Sequence, residues 1–533
     1  MDHWDVIVVG AGAAGAIVAS RLAEDPDRRV LLLEAGGRDL PMLHGVPILT
    51  GFLANHDIGV WRDMTEPDPG LGGRSIAWPR GRVLGGSSSI NGMVWMRGRP
   101  ADYDRWAAAG AAGWDWRSVG PAFEALERGT AANAPHARSA PLRHVPLMRH
   151  DGDNPLFAAF LAAGDQAGHP RADDFNAGGQ EGFGRFTVNI RDGRRMSSAA
   201  TFLRGRRPGN LTVITGATAR RLRVAAGRAT AVVAAKGGRE RDYRGSEIVL
   251  SCGAVNTPKL LMLSGIGPAG DLRRLGIEVV RDLPGVGANL QDHVFARLTY
   301  ECRQPVSLQP FTRLDRAVLG VARAWAFGSG VAARTPFAVG FLLRSRASEP
   351  EPDIEGLFVP GLSTYKPWLP LVQRAPLPHG FGVSAYQLRP ESRGRITLRS
   401  ADAEDGPRIV ANYLATEGDR RALRAGVRML EEVIAQPAFD AFRGRRLAPD
   451  VPADPIAADA VIAQLCGTAY HPVGTCRMGR PDDPSSVTGP DLRVHGIENL
   501  RVADASVMPL MTSGNTHAPS MMIGYRCADL MCG

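Results

Sequence analysis

Two histidines near the C-terminal end of the chain are the side chains best suited to do chemistry. His471 sits in Ala-Tyr-His-Pro-Val-Gly-Thr-Cys-Arg-Met-Gly (Ala469 to Gly479), and His517 in Asn-Thr-His-Ala-Pro-Ser-Met-Met (Asn515 to Met522). An imidazole titrates near neutrality, so each ring can take or give a proton at physiological pH. A loop histidine beside a proline is ordinarily no more than a hydrogen-bonded loop residue. What sets these two apart lies at the other end of the chain, where Gly10-Ala-Gly12-Ala-Ala-Gly15 forms a dinucleotide-binding fingerprint. A cofactor site at one end and two loop histidines at the other predict one active site closed by both ends.

The fingerprint carries weight because the elements it needs surround it. Asp5 to Val9 is a short valine-rich run that reads as a buried parallel strand. The glycines follow, then a helix from Ala16 to Leu22, then a second apolar strand from Val30 to Leu33 ending in Glu34. Gly10 permits the tight turn, Gly12 lets backbone approach a pyrophosphate, and Gly15 lets the helix pack on the strand. The helix N-terminus offers oriented N–H groups to phosphates. Glu34, 19 residues after Gly15, stands where a carboxylate accepts hydrogen bonds from ribose hydroxyls. An acid rather than an arginine there disfavours a 2′-phosphate.

Composition narrows the class. At 533 residues the chain is too long for one core, so two or three domains are expected. The charge of +9 is almost all arginine; the lysines are Lys236, Lys259 and Lys366. The arginines are scattered and the densest clusters, Arg204 to Arg207 and Arg443 to Arg446, are short, so no nucleic-acid partner is expected. Six cysteines without a C-x-x-C pair argue for a reducing compartment, no disulfide frame and no metal site. Neither a signal-peptide pattern nor an apolar run of about 18 residues occurs, so no spanning helix is expected. The expected address is the cytoplasm, with peripheral membrane contact compatible.

Further along, Gly37 to Gly72 reads as an irregular excursion, and Pro79 to Val94 as a second glycine-rich stretch. There, Gly85 and Gly86 clear space for a flat ligand, and the serines and Asn91 supply hydrogen bonds. Helices are expected over Asp102 to Arg128, with a break at Gly113, and over Asn154 to Ala167. Phe175 to Leu203 contains a strand that turns at Asp192-Gly193. Asn210 to Ile214, Ala231 to Ala235 and Glu247 to Ser251 read as strands. Thr257-Pro258 then predicts a helix start, with proline in its favoured first position. After His293, the segments Glu355 to Val359, Phe381 to Leu388 and Arg393 to Arg399 look like antiparallel strands of a separate domain. Arg313 to Phe327 reads as a surface amphipathic helix, and Asp419 to Ala435 as another helix. Leu500 to Val502 returns to the first sheet, and Ala518 to Met531 is the final helix.

Four blocks, taken in order, resemble the glucose–methanol–choline (GMC) family of flavin oxidoreductases. Gly81 to Trp95 looks like its first signature and Gly253-Ala-Val-Asn-Thr-Pro-Lys-Leu-Leu-Met-Leu-Ser-Gly-Ile-Gly267 like its second. Asp282-Leu-Pro-Gly-Val-Gly-Ala-Asn-Leu-Gln-Asp-His293 and Asn499-Leu-Arg-Val-Ala-Asp-Ala-Ser-Val-Met-Pro509 resemble further blocks. The stretches around His471 and His517 match the paired catalytic positions. The resemblance implies an α/β fold, with a Rossmann-like FAD-binding domain and a substrate-binding domain built on an antiparallel sheet with helices. It divides the chain into FAD-binding segments 1–155, 204–293 and 461–533, a cavity-bordering segment 156–203 and a substrate domain 294–460.

The same resemblance implies FAD and oxidation of an alcohol to an aldehyde or ketone, with oxygen or a separate electron acceptor closing the cycle. His471 is the expected base and His517 its partner, a position where other members carry asparagine. A base must remove the hydroxyl proton as hydride leaves the carbinol carbon for flavin N5. The helix beginning near Ala518 would aim its positive end at the flavin pyrimidine. Flavin neighbours implied by the resemblance are Gly10, Gly12, Ala13, Ala14, Gly15, Glu34, Ala35, Trp61, Arg82, Val83, Gly85, Gly86, Ser87, Asn91, Gly92, Met93 and Val94. To these it adds Ala219, Cys252, Gly253, Tyr470, Asp504, Ala505, His517, Ala518 and Pro519. Some members tether FAD to a histidine of the first signature; Ile90 stands at that position, so FAD held without a covalent link is expected. Cavity-lining aromatics are expected among Phe183, Phe327, Phe341, Tyr365, Trp368 and Phe381. The alternatives are a lyase of the same fold acting on cyanohydrins (hydroxynitriles), an NAD-dependent oxidoreductase and a non-catalytic or light-driven flavin protein. A serine hydrolase lacks its G-x-S-x-G elbow.

Overall fold

The computed structural model describes residues 3–128, 144–177, 181–205, 209–362, 368–370, 372 and 377–533. In chain order, the elements that frame the site begin with β1 (His3–Val9), α1 (Gly15–Leu22) and β2 (Val30–Glu34). A hairpin of β3 (Val60–Met64) and β4 (Ala77–Gly81) follows, then β5 (Gly182–Arg185), β6 (Leu211–Thr215), β7 (Thr218–Ala225), β8 (Arg228–Lys236), β9 (Arg239–Leu250) and α2 (Gly253–Leu263). The second half supplies β10 (Val294–Cys302), β11 (Val339–Leu343), β12 (Ile354–Val359), β13 (Gly380–Gln387), α3 (Glu417–Ala435), β14 (Arg443–Arg446), β15 (Cys466–Thr468), β16 (Leu500–Val502) and α4 (His517–Cys532).

Two sheets organise these elements. In the first, the order is β6-β2-β1-β9-β8-β7, with β16 also on β9. The pairs among β6, β2, β1, β9 and β16 are parallel, whereas β8 and β7 extend the sheet antiparallel. The difference is written into the sequence of β9. Its first half, Arg239 to Arg244, pairs with β8 and is exposed except at Tyr243, and its end, Ile248-Val249-Leu250, is continuously buried between β1 and β16. Helix α1 packs against α4, so the two ends of the chain meet beside the glycine turn.

The second sheet has the order β14-β10-β13-β12-β11-β5, with β15 on the same edge of β10, and all its pairs are antiparallel. Helix α3 covers one face; a Cβ on its Gly426 would stand 2.9 Å from the Ala385 Cβ. The opposite face looks into the cavity described below.

Several expectations change. The helix expected from Thr257-Pro258 starts at Gly253, and Pro258 lies inside it. A mid-helix proline leaves the carbonyl four residues back unpaired. Here that carbonyl, Ala254 C=O, accepts a 2.6 Å hydrogen bond from the Thr475 hydroxyl instead. The stretch Gly37 to Gly72 is not wholly irregular, because Val60 to Met64 pairs with Ala77 to Gly81. Arg395–Thr397 pairs with Arg408–Val410, outside the large sheet. Strands β7, β10 and β11 had no counterpart in the sequence reading. The Arg204 to Arg207 cluster lies partly outside the described residues, and no helix among the described residues is long and apolar enough to cross a membrane.

Candidate active site

A cavity of about 880 Å³ runs between the two sheets, near the upper end of the usual range for ligand sites. Its first end is built by the glycine turns. Gly10 has φ +100°, and a Cβ there would meet the Ser251 carbonyl oxygen at 2.4 Å. A Cβ on Gly15 would lie 2.0 Å from Gly10 O, the close packing of helix on strand that the fingerprint implies. The second glycine stretch docks on the first: Gly85 N–H donates to Ala11 O at 2.8 Å, and a Cβ on Gly86 would meet Gly12 Cα at 2.8 Å. The cradle therefore fits a ligand that needs bare backbone on two sides. Glu34 is buried at the end of β2 and faces this space. Its carboxylate accepts from Ala11 N–H (2.9 Å) and Gly36 N–H (2.8 Å), so it braces the turn as well as facing the cavity. Burial pushes its carboxyl up to about 7, against the pull of those two N–H groups and Arg82.

Most of the expected cofactor neighbours come together here. Gly10, Gly12, Ala13, Ala14, Glu34, Ala35, Trp61, Gly86, Ser87, Asn91, Gly92, Met93, Val94, Ala219, Cys252, Gly253, Tyr470, Asp504, Ala505 and His517 line the cavity. Gly15, Arg82, Val83, Gly85, Ala518 and Pro519 do not; they sit one layer back. Arg82 stacks over the Trp61 ring at 4.3 Å, and Ala518 and Pro519 form the first turn of α4 behind His517. Asp504 is buried and accepts from Gly253 N–H, Thr257 Oγ1 and Ser506 N–H, which ties α2 to the loop after β16. Ile90 presents hydrocarbon to the cavity.

At the other end, β15 delivers His471. Ala469 N–H bonds His293 O, and Tyr470 then takes φ +61°, a left-handed conformation uncommon for a residue with a Cβ. That turn brings His471 N–H to Asp292 Oδ1 at 2.7 Å, while Asp292 Oδ2 accepts from Thr468 and Tyr413. The ring has two partners: Nδ1 lies 3.0 Å from His293 Nδ1, and Nε2 lies 3.1 Å from Asn515 Nδ2.

These contacts fix the tautomer. His293 Nε2 lies 3.0 Å from Leu388 O, and a carbonyl only accepts, so Nε2 carries the hydrogen. Burial holds His293 down to about 4, against the backbone carbonyls of Leu388 and Thr512, so the ring is neutral and the Nδ1 that faces His471 is assigned as an acceptor. His471 Nδ1 must therefore donate to it, which leaves the lone pair of His471 on Nε2. Burial first, then His293 and Arg80, hold His471 well below its usual 6.5. His517, the first residue of α4, is buried and held at about 4 by burial and then Arg195. Its Nε2 and the Asn515 Oδ1 are buried without a hydrogen-bond partner among the described residues, two polar atoms left for a ligand.

His293, Asp292 and Asn515 had no role in the sequence reading, although all three stand in the quoted stretches. The signal was adjacency: Asp292-His293 and Asn515-x-His517 each pair two polar groups within one turn. The expected aromatic lining is corrected. Phe183, Phe341 and Phe381 are fully buried on the opposite, helix-covered face of the second sheet, Phe327 is 80% exposed, and Trp368 instead donates its Nε1–H to Thr312. Tyr365 lies outside the described residues. Phe295, Phe311, Phe337 and Tyr386 line the cavity in their place. Strand alternation is the reason: Phe381 and Tyr386 share β13 but differ by an odd number of residues, so they face opposite sides.

Comparison with known proteins places this geometry. Two family models, each described as GMC oxidoreductase, match residues 4–295 and 390–524. The oxygen-dependent choline dehydrogenase of Photobacterium profundum is 39% identical over 538 residues, covering 99% of this chain and 93% of that protein. The mitochondrial choline dehydrogenase of Homo sapiens is 41% identical over 547 residues, covering 100% and 90%. Among solved structures, pyridoxine 4-oxidase from Mesorbium loti superposes with a TM-score of 0.85 at 31% identity, over 99% of each chain. A formate oxidase of Aspergillus oryzae, studied for FAD modification, superposes with a TM-score of 0.89 at 27% identity, over 99% of this chain and 98% of that one.

Proposed function

The chain belongs to the GMC oxidoreductase family, and on that premise we propose that His471 Nε2 is the base of its reaction and His517 the partner that holds the substrate oxygen. The protein is an FAD-dependent enzyme that oxidises alcohols, and neither the lyase nor the NAD-dependent reading is favoured. When bound, FAD supplies the acceptor for the hydride that leaves the carbinol carbon. The residues that would hold it are the Gly10 to Gly15 turn, Glu34, the Gly85 to Val94 stretch and the first turn of α4. With hydrocarbon at Ile90, that position offers no atom for a covalent tether.

The observation that carries the reading is the hydrogen-bond chain from Leu388 O through His293 to His471. It presents an unprotonated Nε2 to the cavity that also holds His517 Nε2 and Asn515 Oδ1, two polar atoms without a partner among the described residues. A substrate hydroxyl replaces Asn515 Nδ2 at the lone pair and gives up its proton there. The charge that builds on the oxygen meets a donor from His517 or Asn515. The N-terminal turn of α4, which opens with His517, adds its positive dipole end. Segments 1–155, 204–293 and 461–533 serve the cofactor and 294–460 the substrate, with Cys466 to Thr468 stitched by hydrogen bonds into the substrate-side sheet. The choline dehydrogenases at 39–41% identity support an ammonium-bearing alcohol as the substrate class.

The test is anaerobic mixing of the yellow holoenzyme with an alcohol panel, followed at the flavin absorbance, and then admission of air. Bleaching by an alcohol, slowed at least about 10²-fold in His471→Ala with FAD retained, is the expected result. Rapid recovery in air identifies an oxidase and slow recovery a dehydrogenase with a separate acceptor. No bleaching by any alcohol refutes the reading in favour of the lyase.

A further inference from the structure

The substrate-side sheet presents one carboxylate to the cavity that the reaction does not use. Glu355 lies on β12, only 3% exposed, and lines the cavity. Its place is fixed by register: Glu355 pairs with Tyr386, Tyr386 with Phe295, and Phe295 with Gly467, so the four form one row across the sheet. Glu355, Tyr386 and Phe295 all face the cavity. His293, the partner of His471, is two residues before Phe295 on the same strand line. Glu355 is therefore two strand spacings, about 10 Å, across the sheet from the Phe295 column. Burial alone pushes its carboxyl up to about 8, and no hydrogen bond or cation among the described residues opposes that rise. Arg297 lines the same cavity, but it is already engaged: its Nε donates to Ser384 Oγ at 2.9 Å and its guanidinium lies 5.3 Å from the Phe295 ring centroid.

A buried acid without a partner destabilises a fold unless something fills the place beside it. A cation seated there would return the carboxyl to its ionised form. Tyr386 in the same row adds a ring face that attracts an alkylammonium.

We propose that Glu355 is the specificity-determining residue of this enzyme, and that it receives the cationic group of an alkylammonium alcohol whose hydroxyl end reaches His471. The proposal rests on the alcohol-oxidation reading and assigns the far end of the same cavity.

The experiment uses the FAD-loaded enzyme, a series of trimethylammonio alcohols of increasing chain length, and their neutral tert-butyl counterparts, with flavin reduction followed anaerobically. The wild-type protein should prefer the best cationic alcohol over its neutral counterpart by at least about 30-fold in kcat/KM, and Glu355→Gln should abolish most of that ratio. Equal rates on the two series in the wild type, or an undiminished ratio in Glu355→Gln, overturn the proposal. Bleaching by neither series in the wild type would instead overturn the parent reading. Should Glu355→Gln fail to retain FAD, Glu355→Asp is read in its place. Its carboxylate retreats by one methylene, so the preferred chain should lengthen; an unchanged optimum overturns the proposal.

Discussion

Replacing His293 tests the reasoning about His471 without touching the cavity, because His293 does not line it. In His293→Leu, the Nδ1–H of His471 loses its acceptor and Leu388 O loses its donor. An unpaired donor in the interior costs about 1–3 kcal/mol. The ring escapes that cost by moving its hydrogen to Nε2, which consumes the lone pair proposed as the base. The fraction of molecules in the working tautomer should fall by the same free energy, about 5- to 150-fold. The rate of flavin reduction at saturating alcohol should fall with it, while KM stays close to the wild-type value. His293→Gln keeps an oxygen acceptor near the same place and should recover most of the rate. The assay is anaerobic stopped-flow bleaching, with flavin content and thermal midpoint measured on each variant. Wild-type reduction in His293→Leu, or a folded His293→Gln no faster than the leucine variant, would refute the tautomer argument.

The remaining predictions follow from other contacts. Because His471 is held well below 6.5 by burial, His293 and Arg80, its lone pair is free across neutral pH. The flavin-reduction rate should be flat from about pH 8 to 6.5 and fall only at lower pH, as the ring binds a proton; an acid limb with an apparent pKa at or above 6.5 contradicts this. Glu34→Ala should leave Ala11 N–H and Gly36 N–H unpaired and weaken FAD retention by at least about 10-fold, measured by dilution or dialysis of the holoenzyme. Thr475→Val should strip the Ala254 carbonyl of its partner and lower stability by about 1–3 kcal/mol, seen as a lower denaturation midpoint; an unchanged midpoint would mean the proline break in α2 is satisfied another way.

What the sequence by itself determined was local. Continuous apolar runs marked β1, β2 and the end of β9, because strands buried on both faces need no alternation. The glycine spacing marked the turn, because Gly10 and Gly15 stand where a Cβ would strike backbone oxygen. Those two facts, with the order of the motif blocks, carried the family and pointed to a cofactor end and two candidate histidines. What only the tertiary structure decided was which face a side chain takes and what it meets there. Phe381 and Tyr386 are equally aromatic and five residues apart, yet only the register of the second sheet sends one to the core and the other to the cavity. Pro258 reads as a helix start until Thr475, more than two hundred residues on, is seen to take the carbonyl it frees. His293 ends a motif block and reads as a loop residue until β10 and β15 bring its ring to His471. Hydrogen-bond partners and buried charges are properties of two segments at once, and a tautomer, a shifted pKa or an unpaired carboxylate exists only after those segments have met.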